Sequence, residues 1–225
     1  MWGTLVNAAA IVVGSIVGTV FNRSLPERFQ SMVFQAMGLF VMILGISMAL
    51  EMKYMLLCVL SLLLGGLFGE LLRLDVQMSN LGEWLKRKLN AKNSRFSEGF
   101  VSTSLLYCIG AMSILGSIEE GSGQYPTLLL TKSVMDGFSA VAFASAMGIG
   151  VLFSFVPVAI YQGSLTLLAM SFGEMLSGVM INELSALGGV LLVGLGINLL
   201  EIRQIKVVNL LPSLVFIIVM VALFT

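Results

Sequence analysis

A chain of 225 residues that is 58% hydrophobic and only 11% charged is too apolar for a soluble domain, which would carry roughly twice that charge. Its net charge is zero, so no basic field points to nucleic acid. Histidine is absent, removing the usual general base and the commonest metal ligand. No zinc motif, phosphate-binding loop or nucleophile–base pair is visible, so the chain does not read as an enzyme and no cofactor is expected. Cys58 and Cys108 lie singly inside apolar runs and read as packing residues.

A membrane span needs about 20 mostly apolar residues. Eight such runs lie at roughly 3–21, 30–50, 54–73, 99–117, 128–148, 151–171, 185–200 and 206–225. The expected fold is all-α, a single polytopic membrane domain over 1–225 with the lipid bilayer as its surroundings. Span one starts at Met1-Trp2-Gly3 without the basic region of a cleavable signal, so it reads as a retained helix. Asn7 in span one, Gln35 in span two and Asn198 in span seven are single polar residues suited to interhelical hydrogen bonds. Gly14-x-x-x-Gly18 and Gly65-Gly66-x-x-Gly69 read as close-packing surfaces, within the fold or in a homodimer.

Residues 74–97 form the one sizeable polar stretch. Leu74, Met78, Leu81, Leu85 and Leu89 share a helical face, with Trp84 beside them and Lys86, Arg87 and Lys88 near the end. That pattern suits a helix lying in the membrane interface, or a docking site for a soluble partner. Lys and Arg gather on the cytoplasmic side. Placing this stretch inside also places Arg23, Arg28, Arg203 and Lys206 inside, leaving Lys53 and Lys132 toward the other face. Both termini, with Glu119, Glu120, Glu174 and Glu183, then fall outside.

Span five carries Lys132 and Asp136. A charge at bilayer depth is expensive and by default marks function. The two lie one turn apart on one face. Asp136 is about 12 Å along span five, and Gln162 about 13 Å from the outer end of span six. Span six also contains Pro157, which disrupts the helix around residue 153, followed by Tyr161-Gln162-Gly163-Ser164. The functional reading is a polar site lined by Lys132, Ser133, Asp136, Tyr161 and Gln162. The bland reading has Lys132 snorkelling to the interface and Asp136 pairing with it for packing alone.

An internal repeat is suggested by Gly14-Ser15-Ile16 with Gly116-Ser117-Ile118, Phe34-x-Ala36 with Phe138-x-Ala140, and Gly69-Glu70 with Gly173-Glu174. These pair spans one to three with spans four to six, and an odd number of spans per unit inverts the copies, as in many secondary transporters. Two C-terminal helices complete the chain. A second register pairs Gly38 to Ser47 with Gly189 to Asn198 and also implies inversion. Glu70 and Glu174 become equivalent positions, either gates or plain interfacial carboxylates.

Three functions follow as expectations. The first is a secondary transporter or permease for a small solute or ion. The second is a dimeric channel whose polar residues line a pore. The third is a scaffold holding a partner through 74–97.

The runs Cys108 to Ile118 and Leu128 to Phe138, the triplet Tyr161-Gln162-Gly163, the glycine-rich 188–196, and Asn209-Leu210-Leu211-Pro212 resemble the YqgA/YdfK family of bacterial inner-membrane proteins. The resemblance covers essentially the whole chain, although Ala111 stands where the family pattern has Pro. It implies a multi-pass protein of the bacterial cytoplasmic membrane and a role in transport. It supplies neither substrate nor mechanism.

Overall fold

The structure is a computed structural model that describes residues 1–22, 26–88, 95–109, 111–172 and 178–224. Among these, all regular structure is helical: α1 (Trp2–Asn22), α2 (Glu27–Ala49), α3 (Met55–Leu72), α4 (Leu74–Lys88), α5 (Phe96–Cys108), α6 (Ala111–Gly121), α7 (Thr127–Met147), α8 (Phe155–Phe172), α9 (Gly178–Leu199), α10 (Val207–Leu210) and α11 (Ser213–Phe224). A 3-10 segment, Gly148–Ser154, joins α7 to α8. The chain is thus a polytopic helical membrane protein, as its composition predicts.

Six described stretches are long and apolar enough to cross a bilayer, and the bent pair Phe96–Cys108 with Met112–Gly121 brings the number to seven. The eight expected spans exceed this because the fifth and sixth fall in one 44-residue stretch, Thr127–Met170. Straight, that stretch would reach about 66 Å, twice a hydrocarbon core. It folds back instead. Gly148, at φ 76°, starts the 3-10 segment, a backbone conformation glycine tolerates without strain. Pro157 then sits in the first turn of α8, where a missing N–H costs nothing. The disruption expected near residue 153 is present, but it starts a helix rather than breaking one, and Tyr161 to Ser164 lie in regular helix.

The helices gather into two compact units. The first holds residues 1–37, 79–108 and 112–175; the second holds 38–78, 109–111 and 176–225. In the first of them α1 packs with α7, the 3-10 segment and α8. Helix neighbours here are chosen by glycine surfaces rather than by chain order.

In the first unit, α1 runs parallel to α7. A side chain on Gly3 would meet Pro126 and Leu129, one on Gly14 the Gly137 carbonyl, and one on Gly18 the Val141 carbonyl. α8 runs the other way, because Gln162 reaches Asn7 while Thr166 shares Glu120 with Thr4. Both glycines of the α1 pattern therefore serve packing within the fold. Gly18→Leu forces backbones apart and lowers stability by about 1–3 kcal/mol. Gly178→Ala, at a position with nothing within 4 Å, changes nothing measurable. Thermal unfolding of the two purified variants checks this.

In the second unit, the glycines of α3 play the same part: Gly65 faces Ser213 and Gly69 faces Asn209. Gly45 of α2 lies against Gly189 of α9, and Gly38 against Leu199 and Leu200, so these two helices are antiparallel. α4 follows α3 after a single left-handed residue, Arg73 at φ 51°. It is the amphipathic helix expected over 74–97, with Leu81 and Trp84 exposed and Lys88 over the Trp84 ring. Leu89, expected on its apolar face, lies outside the described residues.

Candidate functional site

Every fourth residue of α7 from Lys132 through Asp136, Ala140 and Ala144 turns inward, while Val134, Met135 and Phe138 stay exposed. Both charges are buried, Lys132 at 7% and Asp136 at 6% exposure. The lysine folds down its own helix rather than snorkelling: its Nζ donates to Asp136 Oδ1 at 2.9 Å and lies 2.8 Å from Oδ2. Oδ1 takes the directed hydrogen bond. Oδ2 gains charge attraction but no directed donor.

Asn7 joins this pair to α8. Its side-chain amide lies within electrostatic reach of Asp136 and donates to Gln162 Oε1 at 3.2 Å. Asn7 and Gln162 have no solvent exposure at all. Asn7 Oδ1 and Gln162 Nε2 nevertheless lack any hydrogen-bond partner. A buried, unmet polar atom costs about 1–3 kcal/mol, so two such atoms beside a buried ion pair call for an explanation.

The α5–α6 break closes the other side. The two helices meet at 59°, and the Ser113 hydroxyl donates to the Tyr107 carbonyl freed there. The break forms although Ala111 replaces the proline of the family pattern. Tyr107 is fully enclosed; its ring lies 5.9 Å from Lys132 Nζ and its hydroxyl accepts from Ser139. Cys108 lies within electrostatic reach of Lys132, Asp136 and Tyr161.

Of the site residues expected from sequence, Lys132 and Asp136 touch each other, and Gln162 joins them through Asn7. The Ser133 hydroxyl donates to Leu129 O within its own helix. The Tyr161 phenol lies within electrostatic reach of Cys108. Asn7, Tyr107 and Ser139 are additions that the sequence did not single out as site residues. Asn7 was visible as a lone amide in an apolar span, but nothing local tied it to Asp136.

Glu70 belongs to the second unit, where it accepts from Lys206 Nζ at 2.7 and 2.9 Å and from Asn209 Nδ2 at 2.7 Å. Asp75 joins the group, 3.7 Å from Lys206, and its N–H donates to Asn209 Oδ1. Glu174, the other expected gate, lies outside the described residues. Hydrogen bonding to Glu70 raises the Lys206 pKa above its ordinary 10.5. Asp75 is partly desolvated, yet hydrogen bonds from Asn209 and its own helix hold it below its ordinary 3.8. A raised lysine stabilises the fold fully below its unfolded pKa and loses that contribution as pH rises through the folded value. A depressed aspartate contributes above its unfolded pKa and loses it as pH falls through the folded one. Lys206→Met therefore lowers the melting temperature slightly at neutral pH, and the difference from the native chain vanishes on titration above pH 10.5.

Two further carboxylates are buried. Glu120 accepts from Gly3 N at 2.6 Å and Thr4 Oγ1 at 3.0 Å, capping α1. Glu183 accepts from Lys53 N at 2.9 Å, Tyr54 N at 3.3 Å and Cys58 Sγ at 3.4 Å, capping α3. Their exposures of 5% and 0% place them inside the protein, since carboxylates are favoured near helix N-termini, where free amides await an acceptor.

A polytopic helical membrane protein with a buried ion pair beside a broken helix is the class these features define. The model for the family described as "Protein of unknown function (DUF554)" matches residues 2–222, and the chain belongs to that family. "Uncharacterized membrane protein YdfK" of Bacillus subtilis (strain 168) is 34% identical over 219 residues, covering 95% of this chain and 93% of the relative. "Uncharacterized protein YqgA" of Escherichia coli (strain K12) is 30% identical over 219 residues, covering 94% and 92%. No solved structure matches the chain. The kinship expected from the motifs holds over nearly the whole length.

Proposed function

We propose that the chain is a small secondary transporter of the bacterial cytoplasmic membrane, with its solute site at Lys132, Asp136, Asn7 and Gln162. The observation that carries this reading is the cluster itself. Asn7 Oδ1 and Gln162 Nε2, fully buried beside the ion pair, have no protein partner, and a bound solute would meet them. The nearby α5–α6 break supplies main-chain groups outside the helical ladder, which in membranes are tolerated where they face protein or a water-filled path. Counting α7 and α8 as separate crossings gives eight spans. With the basic α4 segment inside, both termini lie outside. The chain would carry its solute unaltered. Rocking of inverted repeats would change access to the site.

Solute profiling of cells and medium tests this. Cells producing the native chain are compared with cells producing Asn7→Leu or Gln162→Leu at equal membrane levels. A small group of solutes shifts its cell-to-medium ratio with the native chain and returns to background with both variants. If no solute distinguishes them, the transporter reading fails and a scaffold function through α4 takes its place.

A further inference from the structure

The cluster also specifies the chemistry of what it binds, given the transporter reading on which this step rests. Asn7 Nδ2 carries two hydrogens. One goes to Gln162 Oε1. That bond couples the two amides, so one acceptor and one donor are left over whichever way the pair is turned. The unmet set is then one acceptor, Asn7 Oδ1, and one donor group, Gln162 Nε2, next to Asp136, whose Oδ2 lies 2.8 Å from Lys132 Nζ. Beside them stands Lys132, whose ammonium can serve a second anion.

A bare cation would satisfy Asn7 Oδ1, leave Gln162 Nε2 unmet and place a second positive charge against Lys132. An anion would satisfy Gln162 and Lys132, but would face Asp136 and leave Asn7 Oδ1 unmet. A molecule bearing both an ammonium and a carboxylate meets every group and adds no net charge to a buried site. We propose that the cluster binds a small zwitterion, the head group of an amino acid, with its ammonium on Asp136 Oδ2 and Asn7 Oδ1 and its carboxylate on Gln162 Nε2 and Lys132. Binding exchanges one buried ion pair for two complementary ones. The internal Lys132–Asp136 pair closes the site when the solute leaves.

The test is thermal unfolding of the full chain in detergent with matched probes: glycine and L-alanine as zwitterions, acetate and propionate as anions, methylamine and ethylamine as cations, and sodium or potassium chloride. A zwitterion at about 100 times its Kd raises the melting temperature by roughly 5–10 °C, and single-charge analogues at equal concentration do not. Gln162→Leu removes the shift while still unfolding cooperatively. If sodium or potassium chloride alone stabilises the protein, the site takes a cation and the zwitterion assignment is wrong. A lack of response to every probe also overturns it. Solute profiling keeps the two claims apart: a Gln162-dependent solute shift without zwitterion binding defeats the ligand class and leaves transport standing, whereas loss of both defeats both.

Discussion

Asp136→Leu alone destabilises the protein by about 3–5 kcal/mol, because it strands the Lys132 ammonium in a dry interior. Lys132→Met alone does comparable damage by stranding the carboxylate. The double variant Lys132→Met/Asp136→Leu recovers most of the loss, since two apolar side chains of similar size remove both desolvation penalties together. Double-mutant analysis of unfolding in detergent measures the coupling directly. Both groups lie on one face of α7, 2.8–2.9 Å apart and less than 10% exposed, so a survivor is left buried without its partner charge. If the single and double variants are equally stable, the charges reach water and the pair is not buried. Stability and function then separate: the double variant folds but abolishes the Gln162-dependent solute shift.

Glu183→Ala is the second large loss. Its carboxylate accepts the amides of Lys53 and Tyr54 just ahead of α3, and the Cys58 thiol beyond them. Alanine leaves two amides unmet, at about 1–3 kcal/mol each, for a total of about 2–4 kcal/mol. Glu183→Gln keeps one acceptor oxygen and costs less than half as much. Chemical unfolding of both variants ranks them. A glutamine variant as unstable as the alanine variant would mean that charge, rather than the hydrogen bonds, holds α3 in place.

How much of this was legible in the sequence depended on how local each feature is. Lys132 and Asp136 stood out because a charge in an apolar run has no ordinary explanation, and four-residue spacing fixes a shared face without any tertiary knowledge. Gln162 could be placed at the same depth by counting residues. What joins them could not, because Asn7 reaches both only when α1 lies parallel to α7, and that depends on Gly14 and Gly18 meeting carbonyls more than a hundred residues away. The buried carboxylates failed for a related reason. Hydropathy treats Glu183 as the end of an apolar run and so starts the seventh span at 185. The helix begins at Gly178 instead, because the amides ahead of α3 satisfy the acid within the protein. Pro157 gave the position of a disruption correctly but not its consequence. A proline in the first turn starts α8, and the glycine before the 3-10 segment turns the chain back.

Cys108 offers the most direct test of the central claim, that the Lys132–Asp136–Asn7–Gln162 cluster is a transport site open in turn to each face. This thiol ends α5 at the break, within electrostatic reach of both charges, and the only other cysteine, Cys58, is fully buried. In Cys58→Ala protein, a membrane-impermeant maleimide is applied to oriented vesicles from the outside and, separately, from the inside. Alternating access predicts labelling of Cys108 from both faces. Lys132→Met/Asp136→Leu, which removes the pair that closes the empty site, shifts the ratio of the two rates. Labelling from neither face, in the native pair and in the double variant alike, would contradict the account and leave the cluster as sealed packing.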